Sequence, residues 1–119
     1  MIYRHNEEMI EERLENMRGG KGAVTIKHLL KADEMLGKGR LFTENTISVG
    51  SSIGLHPHEG EVEAYYFTQG SGIYHNNDQK LEVKAGDLTL VDDHNSHGLE
   101  NTGEVPLVFI ALILFKDIK

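Results

Sequence analysis

Gly50–Gly70 reads GSSIGLHPHEGEVEAYYFTQG, and its two histidines and one of its glutamates decide how the rest of the 119-residue chain is read. His56 and His58 stand one residue apart, and Glu63 follows after four more. In a β-strand, residues i and i+2 point to the same side, so the two imidazoles share one face. A second stretch, Gly86–Asn101 (GDLTLVDDHNSHGLEN), brings a further histidine, His97. Two imidazoles from one strand, with a carboxylate and a third imidazole from neighbouring strands, make a shell of three nitrogens and one oxygen. The reading is a divalent metal inside a small β-barrel, with His56, His58, Glu63 and His97 around it.

A chain of this length buries roughly two-thirds of the surface it exposes when unfolded, enough for one true core. Residues 1–119 are read as a single domain, with 1–40 an N-terminal arm, strand and loop, and 41–119 the barrel. There is no cysteine. That removes disulfides and thiolate ligands and is compatible with the cytoplasmic location expected here. Any metal must use imidazole and carboxylate, a donor set that suits iron, manganese, nickel, cobalt, copper or zinc. A net charge of −7 with scattered basic residues argues against nucleic acid as a partner. The start, MIYRHNEEMIEERLE, is acidic and holds no signal-peptide core. The longest apolar stretch, Val105–Phe115, is too short to cross a membrane as a helix. The expectation is a soluble protein with neither membrane nor nucleic-acid partner.

Outward from the histidine stretch, one short strand follows another. Upstream, Ala23–Leu30 and Leu41–Val49 are strands by alternation and by their Thr, Ile, Val and Phe content, and Lys31–Gly39 is a loop or a single helical turn. Residues 1–22 leave two readings open. Ile10, Arg13, Leu14 and Met17 have the spacing of a short amphipathic helix, whereas Met1–Tyr3 looks like an edge strand at the start of an extended arm. Arg18–Gly22 breaks any helix and lacks phosphate-loop spacing, so it is read as a flexible turn. Pro57 removes a ladder donor between the histidines, which puts that strand end at an edge or an irregularity.

Downstream, Glu63–Thr68, Ile73–His75, Lys80–Lys84, Leu88–Val91, His97–Glu100 and Val105–Phe115 are strands, with Asn76–Gln79 as a four-residue hairpin loop. Turn signals about every eight to twelve residues indicate an all-β sandwich or barrel. The last strand is apolar on both faces, although a strand with one wet face alternates. One face fills the barrel; the other needs a cover, either the N-terminal arm or a second subunit. A homodimer is expected on that ground.

Gly50–Gly70 has the spacing G-x5-H-x-H-x4-E-x6-G, which resembles the first motif of the cupin superfamily at every fixed position. Gly86–Asn101 is similar to the second motif, G-x5-P-x-G-x2-H-x3-N. Gly86, His97 and Asn101 match it, while Asp92 and His94 stand where proline and glycine are usual. The resemblance implies a small single-domain metal-binding cupin. Its fold would be a double-stranded β-helix, the double-sheet jelly roll, often dimeric. The metal would lie between the sheets, held by His56, His58, Glu63 and His97.

Three neutral imidazoles and one carboxylate leave a net positive ion with two open positions in an octahedral shell. Structural zinc usually closes at four ligands, so the set favours iron, manganese, cobalt or nickel in a working site. Such an ion binds a bidentate hydroxy-acid, enediol or diketone, polarises its oxygens, or takes dioxygen beside it. The expected function is action on, or binding of, a small oxygenated metabolite. An enzyme would be a metal-dependent dioxygenase, isomerase or decarboxylase; the alternative is a non-catalytic module that binds or senses a sugar or other metabolite.

Strand parity turns Tyr65 and Phe67 inward with Glu63, and Ala64 and Tyr66 outward. Tyr65 is a candidate proton donor, or else packs the core with its hydroxyl satisfied. His94 is a candidate general base at the mouth of the site, or else a solvated loop histidine. Asn101 supports the site or starts a turn, and Arg40 and Glu44 either reach the cavity or, as the favoured reading, form a surface pair. The motif strands carry no inward Lys or Arg, which weighs against phosphorylated sugars. Metal uptake needs neutral imidazoles and should weaken as pH drops through roughly 6.5.

Overall fold

Alternating burial along the strands sorts the side chains onto the two faces of each sheet, and the buried faces meet. The computed structural model describes residues 1–116; the last three residues of the one-domain reading lie outside it. Among the described residues the strands are β1 (Glu11–Glu15), β2 (Ala23–Leu30), β3 (Gly39–Ile47), β4 (Ser52–Pro57), β5 (Glu61–Gln69), β6 (Ser71–Asn76), β7 (Gln79–Lys84), β8 (Leu88–Val91), β9 (Ser96–Glu100) and β10 (Leu107–Phe115). They pair into a six-stranded sheet, β1-β2-β3-β10-β5-β8, and a four-stranded sheet, β4-β9-β6-β7. This is the all-β architecture that the turn pattern indicated, in the double-sheet form that the cupin resemblance implied. No helix in it is long and apolar enough to cross a membrane.

Between the sheets lie Phe67, Phe109, Ile47, Leu99, Leu107 and Val24, all fully buried. Each such side chain contributes about 1.5–3 kcal/mol relative to leaving it in water. The register explains why they meet. On β10, Phe109 pairs with Phe67 of β5 and with Asn45 of β3, and Ala111 pairs with Tyr65 and Thr43. Along β5, Glu61, Glu63, Tyr65 and Phe67 are all buried while Tyr66 is exposed, as strand parity requires.

The N-terminal segment takes the extended form. Leu14 faces Val24 in the β1–β2 ladder and packs against the core, a burial that a helix over residues 10–17 would not give to a strand partner. Met1–Tyr3 forms no strand; the edge is Glu11–Glu15 instead. Nor is the Gly-rich piece a loose turn. Gly20 and Gly54 touch backbone to backbone, so a side chain on Gly20 would meet the Ser52 carbonyl and one on Gly54 the Arg18 carbonyl. The segment is thereby pinned to β4. The β6–β7 hairpin is also tighter than the sequence implied: Asn76 pairs with Gln79, leaving a two-residue Asn77-Asp78 turn with Asn77 at φ 53°.

Candidate metal centre

His56 and His97 face each other across the β4–β9 ladder. β4 is the edge of its sheet, which is where Pro57 can sit without wasting a ladder bond. His58 lies just past the end of β4, and the loop before β9 holds it. Its amide donates to the Asn95 carbonyl at 3.1 Å, and its carbonyl accepts from the His94 amide at 2.8 Å. Glu63 crosses from β5 in the opposite sheet. The four side chains each bring a donor atom to within 4.8 Å of the others, and all four are buried. His58 Nε2, His97 Nε2 and Glu63 Oε1 lie 2.9–3.0 Å apart.

The outer nitrogens fix how the rings present themselves. His56 Nδ1 donates to the Gly54 carbonyl at 2.8 Å, and His58 Nδ1 donates to Glu61 Oε1 at 2.7 Å. His97 Nδ1 faces the Tyr74 hydroxyl at 2.8 Å. With every Nδ1 engaged outward, Nε2 is the atom each ring has left for a ligand, and those of His58 and His97 lie beside Glu63. Three nitrogen acceptors and a carboxylate around one point are a donor set for a cation, and the residues fit a divalent transition metal.

The electrostatics agree with that use. Burial drives His56 down to about 4, so it is neutral and able to ligate at ordinary pH. Burial alone would raise Glu63, but hydrogen bonds from His58 and His97 and their charges overcome it and hold the carboxyl at about 2. His58 is raised, chiefly by its hydrogen bond to Glu63. The Tyr65 hydroxyl lies 3.5 Å from His97 Nε2, and burial pushes it well above the usual tyrosine value. It therefore stays protonated and is a hydrogen-bond donor rather than a base.

Three contributors were not singled out from the sequence. Glu61 is buried two residues before Glu63 on the same face, and both its oxygens accept from Arg40, from Nε and Nη2, at 2.7 Å each. The Arg40 hydrogen bond holds Glu61 low and, reciprocally, raises Arg40. Arg40 reaches it because the β3–β10 register skips that residue: Ile113 pairs with Leu41 and Leu114 with Gly39. That bulge aims the side chain at Glu61 while 41% of it stays exposed, so Arg40 pairs with Glu61 and not with Glu44; Glu44 lies 3.3 Å from Lys27 instead. Tyr74, on β6, is the second, and burial pushes its hydroxyl up to about 12. Arg18 is the third and lines the cavity from the N-terminal arm. Parity extended back from Glu63 would have found Glu61. The other two carry no sequence signal.

His94 does not join the cluster. Its side chain is 76% exposed and lies 3.3 Å from Asp93. Asn101 clasps a turn: its amide donates to the Ile47 and Val105 carbonyls, and its oxygen accepts from Gly103. The cavity at the donor cluster measures about 60 Å³ and is walled by Asn45, Tyr65 and Ile113 among others. A larger concavity of about 470 Å³ along β6 and β7 is lined by Ser71, Lys84, Asp87 and Thr102. It gathers no imidazole; the donor cluster opens onto the small cavity.

Residues 44–113, more than half of the chain, match the family described as Cupin domain. The oxalate-binding protein of Thermotoga maritima is 47% identical over 114 residues, which is 96% of this chain and 93% of that one. An uncharacterized protein of Methanocaldococcus jannaschii is 34% identical over 91 residues, 76% of this chain and 73% of its own. The crystal structure of a predicted oxalate decarboxylase from Thermotoga maritima superposes with a TM-score of 0.91 at 46% identity, over 97% of this chain and 99% of the other.

Proposed function

The chain belongs to the cupin domain family, and on that premise we propose that it holds one divalent transition metal at His56, His58, Glu63 and His97 and binds a small bidentate oxyanion on the open side of that ion. The observation that carries this is the convergence of three buried imidazoles and Glu63, each with a ligand atom within 4.8 Å of the others, while every Nδ1 is engaged outward. The metal would supply Lewis acidity toward a pair of ligand oxygens. Oxalate is the first ligand to test, since one relative is an oxalate-binding protein. Size supports a ligand of that order. The cavity of about 60 Å³ is far below the roughly 300 Å³ at which ordinary small-molecule pockets begin, so a sugar is disfavoured.

Binding is favoured over acid–base catalysis. Among the described residues, the polar side chains of the cavity wall are His56, His58, Glu63, Arg18, Arg40, Asn45 and Tyr65, so it offers no carboxylate or imidazole beyond the donor cluster. Tyr65, kept protonated by burial, would donate a hydrogen bond to the ligand rather than give up its proton. The test is calorimetric titration of oxalate into protein loaded with manganese, and again after chelation. Saturable one-to-one binding that disappears with the metal is expected; equal binding to chelated protein would overturn the reading.

The partner reading is a second copy of the chain. The outward residues Ile110 and Leu112 of β10 lie beside Tyr66 and Ala64 of β5, which lie beside Leu88 and Leu90 of β8. Leu88 and Leu90 are 67% and 61% exposed. The N-terminal strand cannot cover them, because β1 stands at the opposite edge of the sheet. On a chain of charge −7, this uncharged face is where two copies meet with least repulsion. Light scattering is expected to give twice the 13.3 kDa chain mass, and the double substitution L88K/L90K to return it to one. A wild-type mass of one chain at every concentration would refute the dimer.

A further inference from the structure

The sequence contains four arginines, and three are committed to carboxylates: Arg4 to Glu34, Arg13 to Glu15 and Arg40 to Glu61. Arg18 stands apart; among the described residues its guanidinium has no carboxylate within ion-pair distance and no hydrogen bond. It is an exposed residue that nevertheless lines the metal cavity alongside His56, His58, Glu63 and Tyr65. Burial dominates the protonation of both His56 and Tyr65, yet the Arg18 charge reaches each of them.

The backbone beneath it is unusual. Arg18 has φ 56° and ψ 32°, a left-handed conformation in which glycine or asparagine is at ease and an arginine is not. Asn16, also left-handed at φ 54°, is such a tolerated residue. The turn is held by Gly19 N to Asn16 O at 3.1 Å and Gly20 N to Met17 O at 2.9 Å, and it is seated on β4 by the Gly20–Gly54 contact, two residues before His56. The fold thus holds an unpaired cation, in a conformation its residue type disfavours, where the cavity meets solvent.

Charge balance gives this cation a use. A divalent metal and Glu63 together leave one positive charge, and Arg40 is cancelled by Glu61. Arg18 brings the cavity to two. We propose that Arg18 is the specificity residue of the site, selecting a dianionic dicarboxylate over a monoanion of the same size by meeting the carboxylate oxygens that the metal leaves free. This rests on the metal-dependent oxyanion reading given above.

The experiment compares wild type with Arg18→Gly and Arg18→Asn, two residues that accept the left-handed backbone, in manganese-loaded form. Calorimetry would measure affinity for manganese alone, for oxalate and for the monoanion glycolate. Loss of a charge-assisted contact should weaken oxalate by about 10- to 100-fold and glycolate by no more than about threefold. Manganese affinity should stay level or tighten, because a repelling charge is gone, and thermal stability should not fall. Variants that bind oxalate as tightly as wild type, or that lose oxalate and glycolate equally, would overturn the role of Arg18 alone. Wild-type protein that takes up manganese but no oxalate, or no manganese at all, would overturn both this role and the reading it rests on.

Discussion

Protein carrying His58→Ala is expected to come out of purification without metal, and its thermal midpoint to be indifferent to added manganese. His58 is the best-buttressed donor of the four: Nδ1 is tied to Glu61, itself gripped by Arg40, and Nε2 lies 3.0 Å from Glu63. Changes to groups that merely support a ligand cost about 10- to 100-fold in metal affinity, so loss of the ligand itself should exceed about 100-fold. For wild type, metal at a hundred times its dissociation constant stabilises the fold by about 2.7 kcal/mol, a rise of several degrees for a domain of this size. The variant should show no rise. It will also be less stable without metal, because Glu61 and Glu63 each lose a buried donor, at about 1–3 kcal/mol. The metal-dependent increment, not the baseline, is therefore the reading. His94→Ala is the control, since that side chain lies outside the cavity. One equivalent of metal in His58→Ala protein, measured by elemental analysis, would remove His58 from the shell.

What could be read from the sequence follows from where the constraint lies. The placing of His56, His58, Glu63 and His97 together was legible from the fixed spacing of the two motifs, which ties residues of different strands to one site; strand parity, set by the backbone alone, added the side chains that share a face with Glu63. Tyr65 inward and Tyr66 outward followed for the same reason. Arg40 defeated parity because a bulge is a property of two strands in register, visible only once β3 and β10 are paired. Arg18 was hidden further still. Its turn is fixed by the mutual approach of Gly20 and Gly54, residues more than thirty positions apart in the sequence. A run of glycines reads as looseness until the surface it packs against is known. Leu14 illustrates the opposite case: its spacing suited a helix, and the open edge of β2 decided for a strand.

With and without metal, the protein should respond to pH in opposite directions above neutrality. Two histidines of the same site pull apart in the chelated form. His56, driven down to about 4 by burial, binds its proton more readily in the unfolded chain, whose histidines titrate near 6.5. Its contribution is therefore present above about 6.5 and is lost as pH falls toward 4, up to about 3 kcal/mol as an upper limit. Glu63, held at about 2, adds its own loss on the same acid side, below the ordinary carboxylate range. His58 runs the other way. Its raised value, due first to Glu63 and opposed by burial, gives stability that is full below about 6.5 and lost as pH climbs through the folded value. Chelated protein should accordingly be most stable near pH 6.5 and decline toward pH 8. Metal reverses the second limb, because the ion takes the place of the His58 proton and binds better once that proton has left. The gap in thermal midpoint between manganese-loaded and chelated protein should widen steadily from pH 5.5 to 8, as scanning calorimetry would record. A gap that stays constant across that range would mean that no protonated imidazole competes with the ion, and the inward Nε2 of His58 would then have to be doing something other than holding metal.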